Sequence, residues 1–285
     1  MGLRQTRPML CGASVLLLLG CAQGPDREAD ALPGEARAGG LTVSLPDPLT
    51  DVAVTEARVP GRPLVVIDPG HGGRDPGAAG LASGVEEKEL TLLVARELRD
   101  RLAQNGRVRI ALTRDRDRSL ELDRRSDIAR RLGADLFVSL HADSSREASA
   151  RGASVYSLSE VASDADAARM AAEQGSGSAV AGSAGSVRAL LADLAVRDSM
   201  TASADFAVRL VRLAGGRVSL RPEPHRFAAF RVLRRAEAPA VLVEMGYLSN
   251  AEDEAMLRDP AQRQRIVAAL AQATETELAL RAASR

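Results

Sequence analysis

Apolar positions along this chain switch repeatedly between short continuous runs and helical spacing. Leu64-Val-Val-Ile67 is an apolar run broken by Asp68-Pro69-Gly70, the pattern of a buried strand that empties into a tight loop. Leu90, Leu93, Val94, Leu98 and Leu102 then keep a helical period over a segment from Val85 to about Gln104, with Asn105-Gly106 as its stop. Val108–Leu112 reads as a second strand and Leu120–Leu132 as a second helix capped by Gly133. Leu136–Leu140 reads as a third strand, ending at His141. Alternation of this kind predicts a single α/β domain: a twisted, mostly parallel sheet with helices on both faces.

After a further strand at Ala153–Ser157 the texture changes. Ser159–Glu173 has helical composition, Gly175–Ser186 is a Gly/Ser/Ala linker, and Val187–Ala195 and Ser203–Ala214 have helical spacing. A helical insert at about 159–198 is therefore expected before the last buried strand, Ala240-Val-Leu-Val-Glu244. Asp253–Leu257 and Ala261 to about Leu280 close the chain as helices.

The first 61 residues behave differently. Arg4 and Arg7 precede Met9–Gly20, an apolar stretch too short to span a bilayer, which is the layout of a signal segment at 1–20. Leu18-Leu19-Gly20-Cys21 resembles the bacterial lipoprotein signal, which implies a chain held to a membrane by lipid on Cys21. Ala22 after that cysteine implies, by the same resemblance, sorting to the outer membrane of a periplasm-facing protein. Residues 21–61 are rich in Gly, Pro, Ala and charge and read as a flexible tether. Leu41–Leu45 has strand-like composition, but Pro46 and Pro48 argue against a sheet interior. The domain then occupies 62–285.

Composition narrows the function. Lys+Arg and Asp+Glu each number 38 in 285 residues, so no global field favours nucleic acid. Aromatics make up 2% with no Trp, which disfavours stacking as a binding mode. Cys11 and Cys21 are the only cysteines, so the folded body has no thiol nucleophile, disulfide or cysteine-ligated metal. A monomer is expected.

Two of three histidines, His71 and His141, lie at strand ends, Glu244 ends another strand, and Glu86-Glu87 opens the helix after the His71 loop. Two imidazoles and a carboxylate with a vacant fourth position describe a catalytic zinc site. Asp68 is either a turn former before Pro69 or an orienting carboxylate. His225, in Arg221-Pro-Glu-Pro-His-Arg226, reads as an exposed loop residue, and Arg226, Arg231, Arg234 and Arg235 read as solvated charges. The run Arg114–Arg131 reads mostly as a solvent face with weak local ion pairs.

Four motifs carry a resemblance over about Pro63–Leu257. Val66-Ile-Asp-Pro-Gly-His-Gly-Gly-Arg-Asp-Pro-Gly77, Glu87-Lys-Glu-Leu-Thr91, Ala134-Asp-Leu-Phe-Val-Ser-Leu-His-Ala-Asp143 and Pro239-Ala-Val-Leu-Val-Glu-Met-Gly-Tyr-Leu-Ser-Asn250 occur in order. Thr113-Arg114, Asp117, Leu122 and Arg125 follow a further pattern between them. Together they resemble the zinc-dependent N-acetylmuramoyl-L-alanine amidases of cell separation. The resemblance implies that His71, Glu87 and His141 bind Zn2+, that Glu244 is the catalytic base, and that the substrate is peptidoglycan, cut between N-acetylmuramic acid and L-alanine. Glu87 is chosen over Glu86 because it directly precedes Lys88-Glu-Leu-Thr91. The resemblance also implies an autoinhibitory insert displaced by a protein activator, while Gly175–Ser186 departs from the family pattern and leaves a passive surface insertion as the other reading. An inactive amidase fold acting as a wall-binding regulator is the alternative, and a zinc peptidase of the stem peptide a third reading.

Overall fold

In the computed structural model, residues 52–145, 147, 149–175 and 187–283 are described, and they lie within one compact unit, Asp47–Arg285. The signal segment at 1–20, the tether up to residue 51, and positions 176–186 of the linker lie outside the described residues.

The continuous apolar runs become central strands because both of their faces are covered. β2 (Leu64–Pro69), β4 (Leu136–His141) and β7 (Ala240–Glu244) are buried along their whole length. Successive side chains point to opposite faces. Val65, Ile67, Val138, Leu140, Val241 and Val243 enter one core layer, while Leu64, Val66, Phe137 and Leu242 enter the other. The first layer packs on α1 (Glu87–Asn105), on Phe206 and Leu210 of α4 (Val187–Ala214), on Leu257 of α6 (Ala251–Arg258) and on α7 (Pro260–Ala283). The second packs on α2 (Leu122–Leu132), α3 (Ala165–Glu173) and α5 (Arg231–Arg234). Burial of each Leu, Val or Ile side chain is worth about 1.5–3 kcal/mol, so the two layers together favour this stacking over any exposed register.

With β1 (Val54–Thr55), β3 (Arg109–Leu112), β5 (Ala153–Leu158) and β6 (Leu220–Ala228), the sheet has seven strands in the order β1-β3-β2-β4-β7-β5-β6. The β3-β2-β4-β7 core is parallel, and β1 and β5 pair antiparallel to their neighbours β3 and β7. Helices cover both faces, as the alternation predicts. Because β2, β4 and β7 are adjacent and parallel, their carboxyl ends emerge side by side, the place where α/β sheets bind ligands. His141 and Glu244 are direct partners in the β4–β7 register.

Three expectations change. The fold begins before residue 62: Val54 and Thr55 pair with Ala111 and Ile110, Val52 and Val54 pack against the second core layer, and Arg58 N–H donates to Gly106 O. Two alternating residues are too short a signal to stand out from a polar, proline-flanked segment. The two helices expected at 187–195 and 203–214 are one helix, α4, since no Gly or Pro interrupts 187–214. The stretch around Pro222 and Pro224 is not a loop but β6, which lies at the sheet edge, where a missing N–H can be tolerated.

The predicted helix stop also appears: Gly106 ends α1 with φ 66°, a left-handed cap conformation that glycine adopts without a Cβ penalty. No helix among the described residues is long and apolar enough to cross a membrane.

Candidate metal centre and active site

The site is assembled where β2, β4 and α1 meet. β2 ends at Pro69, and Gly70 N–H donates to Leu140 O at 2.9 Å, pulling the following loop against β4. A Cβ at Gly70 would lie 2.4 Å from His141 Cε1, so the close approach of loop to imidazole requires glycine there. The next residue, His71, takes φ 58°, a left-handed backbone rarely held by a non-glycine residue. His141 is the last residue of β4, and Glu87 opens α1. Its first turn is tied down by Glu87 N–H donating to Ala78 O and Lys88 N–H to Pro76 O.

These three side chains converge. Glu87 Oε1 lies 3.1 Å from His71 Nε2 and 3.1 Å from His141 Nδ1. The imidazole rings meet edge to face with centroids 5.0 Å apart. One ligand atom from each of the three lies within 4.8 Å of the others. Glu87 is further held by Ala142 N–H on Oε1 and Ala78 N–H on Oε2, both at 2.9 Å.

A divalent metal fits this set. His71 Nε2 is buried and makes no aligned hydrogen bond despite its closeness to Glu87, so this nitrogen is left without a partner inside the cluster. His71 Nδ1 is 2.9 Å from Asp75 Oδ2. A proton on Nδ1 satisfies Asp75 and leaves Nε2 as the donor atom, a common carboxylate–histidine arrangement behind metal ligands.

Electrostatics agree with a cluster built around positive charge. Burial pushes the His71 pKa down, but Glu87 and Asp75 outweigh it and raise it to about 9. Burial likewise favours protonated Glu87, yet the two imidazoles hold its carboxyl well below the usual range. Burial lowers the His141 pKa against the pull of Glu87. The carboxylate thus stays charged between two rings, and a cation entering the cluster would take the place of a proton.

Glu244 ends the adjacent strand and is fully buried. Its Oε2 accepts from Asp143 N–H at 3.1 Å and its Oε1 from Gln174 Nε2 at 3.2 Å. Burial, then Asp143 and Glu87, push its carboxyl well above the ordinary range. Asp143 is itself raised to about 7 by burial. A carboxylate with raised proton affinity beside a candidate metal is suited to accept a proton. A cleft of about 810 Å³ opens over His71 and His141, bordered on one side by Gln174 and on another by Ser119 and Arg125.

All four sequence-derived site residues therefore meet at one end of the sheet. Glu86 is half exposed and pairs with Lys88 at 3.1 Å, outside the cluster. Asp68 does not reach the imidazoles; it accepts from Ser139, Thr113 and Arg125 beneath the loop. His225 is half-buried on β6, with Nε2 2.9 Å from Ser157 Oγ and its ring tilted on Phe227. Arg226 is buried and paired with Asp164, not solvated, and Arg114 and Arg125 are buried within a run expected to face solvent. Asp75 and Gln174 were invisible as functional positions, because nothing in their local sequence reveals which ring or carboxylate a loop brings to them.

The comparisons with known proteins point the same way. A family model described as N-acetylmuramoyl-L-alanine amidase matches residues 65–276. The chain is 36% identical over 218 residues to the N-acetylmuramoyl-L-alanine amidase AmiA of Escherichia coli, covering 74% of this chain and 75% of that one. It is 34% identical over 211 residues to the probable N-acetylmuramoyl-L-alanine amidase AmiB of Haemophilus influenzae, covering 71% of this chain but 49% of that one. The chain thus spans about half the length of the Haemophilus relative. Among solved structures, the catalytic domain of CwlV, an N-acetylmuramoyl-L-alanine amidase from Bacillus (Paenibacillus) polymyxa, aligns with a TM-score of 0.56 at 29% identity, covering 76% of this chain and 98% of that one. By the extent of these matches, the chain belongs to the N-acetylmuramoyl-L-alanine amidase family.

Proposed function

We propose that this chain is a zinc-dependent hydrolase that cleaves the amide between N-acetylmuramic acid and L-alanine in peptidoglycan. The observation that carries the reading is the convergence of His71, Glu87 and His141 within 4.8 Å beside buried Glu244, in a chain of the amidase family. Two nitrogens and one oxygen with an open position suit catalytic zinc. When bound, zinc supplies a water whose pKa falls from 15.7 to about 7 and a Lewis acid for the scissile carbonyl.

The chain's own residues do the rest. Asp75 keeps His71 turned with Nε2 inward. Glu244 takes a proton from the attacking water and returns it to the departing L-alanine amine. The cleft beside the cluster reaches His71 and His141, and Gln174, which lines it, covers Glu244.

The insert at about 159–198 is part of this reading. Gln174, at the end of α3 and within this insert, donates to Glu244, so the insert touches the base. This contact supports an autoinhibitory insert that a protein activator would displace. Digestion of purified peptidoglycan, with product identification, tests the whole assignment. The full chain and a variant lacking 160–197 should both release intact stem peptides bearing a free L-alanine amine, with the deletion faster. Shortened peptides would indicate a peptidase, and a deletion no faster than the full chain would remove the autoinhibitory role.

The lipoprotein-like Leu18-Leu19-Gly20-Cys21 supports placement in the cell envelope, on the periplasmic side and at the outer membrane, through lipid on Cys21. Cys21→Ala should move the chain from the membrane fraction to the soluble fraction. Continued membrane association would count against the anchor.

A further inference from the structure

Thr113 to Arg125 carries motif residues that the proposed reaction does not use, and the structure gives them a shared target. Five consecutive carbonyls of the loop bearing His71 each accept a side-chain hydrogen bond. Pro69 O accepts from Arg114 Nε at 3.0 Å and Arg125 Nη1 at 2.6 Å. Gly70 O accepts from Arg114 Nη2 at 2.7 Å and Thr91 Oγ1 at 3.0 Å. His71 O accepts from Arg125 Nη2 at 2.7 Å, Gly72 O from Ser119 Oγ at 3.3 Å, and Gly73 O from Lys88 Nζ at 2.9 Å. Five engaged carbonyls can hold His71 in its left-handed backbone, a conformation that persists only where surroundings over-determine it.

Arg114 does more than hold the loop. Its Nη2 also donates to Lys88 O at 3.0 Å and Thr91 Oγ1 at 3.1 Å, both on α1. One guanidinium nitrogen therefore bridges Gly70, the residue before His71, and Lys88, the residue after Glu87. Arg125 reaches Asp68, Pro69, His71 and Leu120 but makes no such bond to α1. Arg114 is fully buried, and its planar fork spans acceptors that a lysine ammonium cannot reach together.

We infer that Arg114 is a positioning residue that sets the metal affinity of the site by fixing the His71 loop against the Glu87 helix. This inference rests on the metal reading above. Arg114 touches neither imidazole nor the Glu87 carboxylate, so its effect travels through the backbone on either side of two ligands.

The test is zinc binding by the metal-free full chain, in competition with a chromophoric chelator, together with the absorption spectrum of the cobalt-loaded protein. Arg114→Lys should weaken zinc binding about 10- to 100-fold, the range typical of groups that orient metal ligands, and alter the cobalt spectrum. Thr91→Val, which removes one hydroxyl from the same junction, should weaken binding in the same direction by less, and serves if Arg114→Lys fails to fold. Arg263→Lys is the control. Arg263 is also buried and bonds Leu257 O, Arg258 O and Glu97, within α7 and its neighbours. It should lower thermal stability while leaving zinc affinity and the cobalt spectrum unchanged. Unchanged zinc affinity in both Arg114→Lys and Thr91→Val, or equal weakening in Arg263→Lys, overturns the positioning role while the metal reading stands. A wild-type chain that takes up no zinc or cobalt overturns the metal reading and this inference with it.

Discussion

Glu244→Gln should retain one zinc per chain and lose about 10²- to 10⁴-fold in turnover on purified peptidoglycan, the contribution typical of a positioned general base. The substitution is nearly isosteric in a fully buried position, and the side-chain carbonyl can still accept from Asp143 N–H. Glu244 lies outside the group of His71, Glu87 and His141, so metal content is expected to hold. What disappears is proton affinity. The glutamate carboxyl is raised by burial and by the nearby carboxylates of Asp143 and Glu87, whereas an amide takes no proton in the working range. Metal analysis and turnover on the same preparation check both halves. Full activity would move the base elsewhere, with Asp143, whose N–H bonds Glu244, the next carboxylate to examine.

Glu87→Gln should abolish zinc binding at micromolar metal and reduce hydrolysis to background. Its carboxylate is the only anionic member of the three-residue cluster, and the rings of His71 and His141 both face the same oxygen at 3.1 Å. A neutral amide is a poor ligand to zinc and offers no charge to balance it. Gln is preferred to Ala for the test because Glu87 also accepts from Ala78 N–H on one oxygen and Ala142 N–H on the other; the amide oxygen still serves one of them, whereas Ala serves neither, and each buried donor left bare costs about 1–3 kcal/mol. Thermal melting separates loss of metal from loss of fold. A ligand in thousandfold excess over its Kd stabilises the native state by about 4 kcal/mol, so zinc should raise the melting temperature of the wild type and leave that of Glu87→Gln unchanged. Glu86→Gln should behave as wild type, because Glu86 faces Lys88 and solvent. A Glu87→Gln chain that still binds zinc tightly would remove Glu87 from the ligand set.

Much of the fold was legible because burial on two faces leaves a dense signature. Leu64-Val-Val-Ile67 and Ala240–Val243 are apolar without interruption, Leu136–Leu140 is broken only by Ser139, and each became a central strand. Leu90, Val94, Leu98 and Leu102 share one helix face and all entered the first core layer. Elements at the margin were harder to read. β1 has two residues, β6 contains two prolines, and α4 runs unbroken through Arg197-Asp-Ser-Met-Thr201, a polar stretch that reads as a connection. At these places backbone pairing or helix continuity supplies the stabilisation, and neither leaves a hydrophobic period behind.

Charged residues were the other blind spot. Arg114, Arg125 and Arg226 sit among many arginines that do face solvent, and composition alone treats them alike. Their burial follows from acceptors supplied by distant segments: Pro69, Gly70 and Lys88 for Arg114, Asp68 and His71 for Arg125, Asp164 for Arg226.

By itself the sequence determined which strands are central and which side chains end or follow them: His71, His141 and Glu244, with Glu87 opening the first long helix. Residue type and local period are enough for that, since strand ends and helix starts are written in their own few residues. Only the tertiary structure decided that β2, β4 and β7 lie side by side, that His141 and Glu244 pair in register, and that one glutamate oxygen stands 3.1 Å from both imidazoles. Strand order and register arise from packing two core layers across residues far apart in the chain, and no local pattern encodes a distance of that kind.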